Sequence, residues 1–527
     1  MTNHRSSPLH RLLIAAALAV TPWVAKAQTT TFYSDIDTAN WAAQTWTPDT
    51  VPGTTDGSPS TDQVAIDKTT STAGELRLTE NRNIASLTRF RALKDSLGSA
   101  IRLVNNNGNN SVKLTIQDLL SVESGYLYLR AHHSYLSARF TVETDRMEIG
   151  STEWNGAVPE SVSIGTVYFS GHSGTNDYSR VTLKVNKTLT VIGNGRFIYD
   201  GTATGEAEID FGDVIFRDNV SGGNPLTPTF SLGSAASPEV DHRVKIRSLQ
   251  SEAAHSSGVS ITGGATLELY GNAPTEPADY RFYGEIQETT RLEKTGDNTQ
   301  ILSRSAGNSY SGGTRISAGT LVVENTTGSG LGSGAVTIEG SGAVGGNGRI
   351  ALAQEEVITV KAGGRLAPGK DGGLFNTLRI VTPTGSSQPT LSMEEDSHFS
   401  FTLGANNASD TIEFLNYTPG ALALAPGGIG ITLEGPLSEG VYQLFVFREG
   451  GEGSALVSSG FTDGLYVNHL SDDFHITLHY NDAAFGGAGV IAMEIAAIPE
   501  PSSVALLVSG AGFLGLWMAR RRLRSAA

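Results

Sequence analysis

The sequence predicts an all-β protein whose body is a right-handed parallel β-helix, or solenoid, set between an N-terminal signal-peptide helix and a C-terminal hydrophobic helix. Three observations carry this expectation. Glycine is the compositional outlier, 62 of 527 residues, while charged residues are only 17%; ordinary globular chains hold about 7% glycine and about a quarter charged residues. Apolar residues through the body alternate with a period of two, the signature of strands. The alternating blocks also recur along the chain. At 39% hydrophobic residues, the body is too apolar for a disordered acidic tail.

The recurrence is explicit. Leu114, Ile116, Leu120 and Val122 return as Leu183, Val185, Leu189 and Val191 with the same offsets. A tighter form, Val142, Thr144, Met147 and Ile149, returns as Ile209, Phe211, Val214 and Phe216, and Val244, Ile246 and Leu249 make a third copy. We read each unit as two short strands around a turn. No single unit can bury its own inward face, and stacking neighbours solves that problem. Spacings of 28, 41, 26 and 35 residues between first positions fit similar rungs joined by loops of unequal length. A β-sandwich, whose strands also recur at short spacing, is the rival. Asparagine and glycine, which tolerate left-handed backbone, fill the turns at residues 105–110 and at Gly193-Asn194-Gly195.

The chain ends read as address labels. Arg5 and Arg11 precede the apolar residues 12–20, and Ala25 and Ala27 flank Lys26. A positive region, a short apolar core and small residues at that spacing make a signal peptide for signal peptidase. The core is too short to cross ~30 Å of hydrocarbon, which takes about 20 residues. Residues 1–27 are therefore removed and the mature chain begins at Gln28. At the other end stand Pro499, Glu500 and Pro501, the apolar residues 504–519, and Arg520, Arg521, Arg522 and Arg524. A basic cluster after an apolar segment keeps that end cytoplasmic and leaves the rest of the chain outside. This order resembles the PEP-CTERM sorting signal of Gram-negative bacteria. The resemblance implies a transient membrane anchor, recognition by an exosortase (a membrane transpeptidase-like protease), a link to exopolysaccharide, and delivery to the cell surface or extracellular matrix.

Between the labels, a Pro-rich break at 272–277 separates an irregular solenoid region (28–271) from a glycine-punctuated one (282–370), with a β-rich region at 371–497 and the sorting signal at 498–527. In the middle region, Leu292-Glu293-Lys294-Thr295-Gly296 is followed by Asn308-Ser309-Tyr310-Ser311-Gly312-Gly313-Thr314-Arg315-Ile316 and Ala318-Gly319-Thr320-Leu321-Val322-Val323. This stretch resembles the autotransporter-associated β-strand repeat, a rung of a passenger-type β-helix. It covers about 282–350 and continues through Gly363-Gly364 and Leu366-Ala367-Pro368-Gly369. Trp41, Trp46, Pro48, Pro52 and residues 62–66 resemble the way such exported proteins begin. A true autotransporter closes with a barrel of many ~10-residue alternating strands. Here an apolar stretch and arginines stand in that place, so the resemblance implies shape rather than self-export.

Composition excludes several functions. The formal charge is −16, and it becomes −22 for residues 28–498 once the three cations of 1–27 and the net +3 of 499–527 are set aside. No basic stripe offers phosphate contacts, so nucleic acid is not a partner. Anionic polysaccharide would be repelled unless divalent cations bridge it, whereas neutral glycans meet no barrier. With no cysteine, disulfides, thiolate nucleophiles and Cys-ligated metals are out.

The chemistry candidates are bland. Gly340-Ser341-Gly342-Ala343-Val344-Gly345 spells GxGxxG without the helix that a dinucleotide needs, and reads as corner glycines. His475 and His479 on a strand stand ~13 Å apart, too far for one ion. His132-His133, Asp472-Asp473 and Glu394-Glu395-Asp396 read as solvated turns, and a glycosidase pair of carboxylates ~5–9.5 Å apart would have to come from different rungs. The turn from Asp56 to Asp62 lacks the repeated Asp spacing of a calcium β-roll. We find no GxSxG, HExxH or P-loop motif. The expectation is an exported, exosortase-sorted, non-catalytic structural or adhesive protein without cofactor. The alternative is a polysaccharide lyase or hydrolase, or a glycan-binding protein, on the same scaffold.

Overall fold

The computed structural model describes residues between 31 and 498 except 36–38, 44–45, 47–49, 69–73, 93–99, 106, 108–109, 123–125, 132–138, 151–165, 171–179, 194, 201–207, 218–227, 234–242, 252–258, 273–279, 370–374, 426–427, 450–452, 455–464 and 469–473. Within it the chain winds as a parallel β-solenoid. A 15-stranded first sheet runs from Thr31–Asp35 to Leu422–Leu424, parallel at every step from its first pair to its last. A 9-stranded second sheet lies beside its first part, ending at Glu285–Ile286. Up to Thr266–Leu269 successive strands alternate between these two sheets, giving two strands per turn. An 8-stranded third sheet begins at Tyr280–Phe282 and a 7-stranded fourth at Arg349–Ala351, after which each turn uses three strands. Strand neighbours in sequence thus lie in different sheets, which rejects the sandwich.

The recurring blocks are consecutive rungs. Leu114 pairs with Val142, Val142 with Leu183, Leu183 with Ile209, and Ile209 with Val244. Their side chains fill one lumen: Leu114, Val142, Leu183, Ile209 and Val244 are buried, as are Leu120, Met147, Leu189, Val214 and Leu249 one step along. Fully burying such side chains stabilises by about 1.5–3 kcal/mol each, which is what drives the stack together.

The internal geometry of a unit corrects the sequence reading. Each block is one long strand, Val112–Val122 or Arg180–Ile192, not two short strands around a turn. The extra residue of the longer form is a bulge: the register shifts between Ile116 and Leu119, and between Val185 and Thr188. A bulge places two residues against one without ending the strand. At the second bulge the partner is Gly212, where a Cβ would fall 2.0 Å from the carbonyl oxygen of Lys187. Only glycine lets the backbones approach so closely.

Outward residues carry ion pairs that reach between rungs. Asp118 takes both Nε and Nη2 of Arg146 (3.0 and 2.8 Å), Asp213 takes Arg247 through Nε and Nη2 (2.9 and 2.6 Å), and Glu413 bridges Arg379 and Arg448. Exposed pairs of this kind contribute about 0–1 kcal/mol each, so they set register more than stability. At the C-terminal end the pattern turns antiparallel, with Val490–Ala497 between Gly440–Glu449 and Phe474–Tyr480.

Candidate functional site

The glycine-rich region begins where the second sheet gives way to the third as companion of the first, and its polar residues explain how. The long strand Arg243–Ser251 is followed in the first sheet by the short strand Thr266–Leu269, which pairs only with residues 243–246. Leu249 therefore has no next strand for its peptide groups. Gln300, fully buried, supplies one: its Oε1 accepts from the N–H of Leu249 (2.9 Å) and its Nε2 donates to the carbonyl of Leu249 (2.9 Å) and to that of Tyr280 (2.7 Å). Asn308 does the same between corners, donating to the Gly330 carbonyl (2.7 Å) and accepting from the Ile286 N–H (2.9 Å). Asn325 donates to the Arg349 carbonyl (2.9 Å) and accepts from its N–H (3.0 Å). A buried backbone group left without a partner costs about 1–3 kcal/mol, so these amides replace missing ladder bonds.

Two further polar groups lie inside. Tyr310 is buried, its hydroxyl 2.6 Å from Oγ1 of Thr314, and burial pushes its ionisation well above the ordinary phenol value. Lys294 sits in the lumen column between Leu269 and Ile316. Its Nζ donates to the carbonyls of Gly296 and Ala318, and desolvation pulls its pKa down to about 8, against the opposing pull of Asp297. The corner beside it needs Gly319, whose φ is +66°. A side chain there would meet that Nζ at 2.7 Å.

The sequence candidates distribute as follows. Gly340 and Ser341 form a corner and Ala343–Gly345 a strand, with no helix following. His475 and His479 lie on the strand Phe474–Tyr480. His475 Nδ1 contacts Oγ1 of Thr477 at 3.2 Å on the shared face, whereas His479 contacts Glu494 at 3.0 Å and stacks on Phe485 with centroids 3.6 Å apart. They do not converge. Glu394, Glu395 and Asp396 form an exposed turn. Asp56 and Asp62 are used by their own loop: Asp56 accepts from the backbone and hydroxyl of Ser58, which holds its carboxyl below the usual range, and Asp62 accepts from Gly53 at 2.8 Å. Trp41 and Trp46 pack together at 5.1 Å, their indoles donating to Pro52 and Trp41 carbonyls. Ala25, Ala27, His132, His133, Asp472, Asp473, Pro499, Glu500, Pro501, the apolar residues 504–519 and Arg520, Arg521, Arg522 and Arg524 lie outside the described residues. Among the described residues no helix is long and apolar enough to cross a membrane, and no three His, Asp or Glu side chains gather as a metal-binding group.

A parallel solenoid with amide-capped rungs, glycine corners and a sorting signal after its last strand defines the class: an exported β-helix surface protein. Two stretches match known families. Residues 292–323 match the passenger-associated-transport-repeat, within the region that carries Lys294, Gln300 and Tyr310. Residues 497–522 match the PEP-CTERM protein-sorting motif, which begins at the last residue of the strand Val490–Ala497. The motif makes an exosortase the processing partner and sorting to the cell surface or matrix the destination. No curated protein matches the chain.

Proposed function

We propose that the protein is a non-catalytic structural or adhesive rod of the cell surface or exopolysaccharide matrix. Signal peptidase removes residues 1–27, residues 504–519 hold the precursor in the inner membrane, and an exosortase cuts near Pro499-Glu500-Pro501. The observation that carries this reading is the junction itself: the solenoid finishes in an antiparallel edge, and the sorting motif starts at Ala497, the last residue of that edge's strand Val490–Ala497. A rod of cross-bonded rungs suits spacing and adhesion. Several outward carboxylates of the rungs are tied to cations, as in Glu268 and Glu293 on Arg243 or Glu339 on Arg315, whereas a cleft enzyme needs convergent titratable groups with pKa values pushed apart.

Deleting the exosortase gene in the native host tests the sorting half: the uncut chain accumulates in the inner membrane and disappears from the surface fraction. Unchanged surface delivery contradicts it. A reducing-sugar and unsaturated-product assay over neutral and acidic glycans, with and without calcium, tests the other half. Turnover that a single Asp or Glu substitution abolishes would move the assignment to a polysaccharide-active enzyme.

A further inference from the structure

Among the described residues, no strand closes the C-terminal end of the lumen. All three sheets that reach it stop there, at Leu422–Leu424, Leu465–Asn468 and Phe474–Tyr480. Along each lumen column the side chain in the last strand but one is fully covered and the last is not. Leu391 passes to Leu422, Ile429 to Leu465 and Ile495 to Ile476, from 0–2% exposed to half-buried. The same holds for Leu424, Val467 and Leu478. Leu465, Val467, Phe474, Ile476 and Leu478 line, with His475 and Tyr480, a cavity of about 450 Å³ beside Tyr466, which is 42% exposed. An apolar patch of this kind on a soluble rod marks a contact surface, and a solenoid needs its terminal rung covered.

We propose that in the uncut precursor this end lies on the outer leaflet of the inner membrane, lipid covering the last rung. The inference rests on residues 504–519 being the anchor. The described chain leaves the end rung at Ala497 and Ile498, itself 48% exposed. Residues 498–503 can then span only about 20 Å before the apolar segment begins. The end is therefore held within about 20 Å of the hydrocarbon, close enough for its apolar side chains to rest on the headgroup layer of about 5–8 Å, where Tyr466 takes the depth that tyrosine favours at membrane interfaces. The edge strand's outer side and the nearby loops bring Glu439, Asp482 and Glu494 close to this end. Those charges disfavour a second copy meeting it end to end, where like would face like, and they favour zwitterionic over anionic lipid. Cutting at Pro499-Glu500-Pro501 then frees the rod and uncovers the end in one step.

The chain has no cysteine, so single labels are unique. Tyr466→Cys, Ala335→Cys on an exposed corner several rungs away, and Gly512→Cys in the apolar segment would each carry a polarity-sensitive fluorophore. Each full chain is reconstituted in vesicles of phosphatidylethanolamine with a minor share of phosphatidylglycerol, with nitroxide on the headgroup or deep in the acyl chain. We expect headgroup nitroxide to quench the label at 466 at least about twofold, as interfacial burial requires, to leave 335 unquenched, and deep nitroxide to quench 512. Quenching at 512 without quenching at 466 overturns the proposal while the anchor stands. No quenching at 512 removes the anchor and the proposal with it. A disulfide between two unlabelled 466 variants, formed in place of lipid contact, assigns the end to a second copy and overturns the proposal.

Discussion

Replacing Gln300 with leucine should undo the junction where the second sheet gives way to the third. The substitution keeps the volume roughly constant and removes three hydrogen bonds: two to Leu249, at 2.9 Å each, and one to the Tyr280 carbonyl at 2.7 Å. The N–H and C=O of Leu249 then stay buried without a partner, because the adjacent strand stops opposite Ile246. At about 1–3 kcal/mol for each orphaned group, the loss is about 2–6 kcal/mol, a large share of the 5–15 kcal/mol that stabilises an ordinary domain. Hydrogen exchange read on a peptide covering residues 243–251 locates the effect. The Leu249 amide should lose most of its protection while the rungs around Leu114 and Val142 keep theirs. An unchanged exchange rate at Leu249 would refute the capping argument, whatever happened to the melting temperature.

Other expectations follow from the same geometry. Leu321→Asp buries an unpaired charge at a fully covered lumen position and should abolish folding of the middle rungs, whereas Arg315→Glu, on an exposed side chain paired with Glu339, should cost less than about 1 kcal/mol; equal thermal shifts would show the inward and outward faces to be misassigned. Lys294 binds its proton more weakly in the folded chain, near pH 8, than in the unfolded one, near 10.5. Stability should therefore rise across that window by up to about 3 kcal/mol, and in Lys294→Met melting against pH should lose this rise. Gly212→Val should break the stack at the bulge, since its Cβ would overlap the Lys187 carbonyl; a melting curve matching the parent would contradict the close approach.

The lumen was largely legible in the sequence, because repeated apolar offsets mark the blocks at Leu183 and Ile209 as rungs; the register that pairs Leu183 with Ile209 was not, since spacing alone does not align neighbouring rungs. The bulge was not, since a one-residue insertion between Ile116 and Leu120 looks like a turn until the neighbouring strand fixes its register. The polar interior was hidden as well. Gln300 and Asn308 are ordinary surface residues by composition, and the role of Gln300 exists only because the ladder on a strand some 50 residues earlier ends at Ile246, short of Leu249. The switch from the second sheet to the third follows the Pro-rich break, whereas the change to three strands per turn at Arg349–Ala351 left no signal. The histidine pair was readable in the opposite sense: the rise of about 13 Å over four strand residues set His475 apart from His479 on their shared face, and the structure gives each its own partner, Thr477 and Glu494.

The central claim is that this rod is exported and then released from its sorting signal, and intact-mass analysis of the protein recovered from the surface of its native host tests it most directly. The account predicts a chain that begins at Gln28 and ends near Pro499-Glu500-Pro501. A surface species that still carries Trp517 and Arg520, Arg521, Arg522 and Arg524 would contradict it.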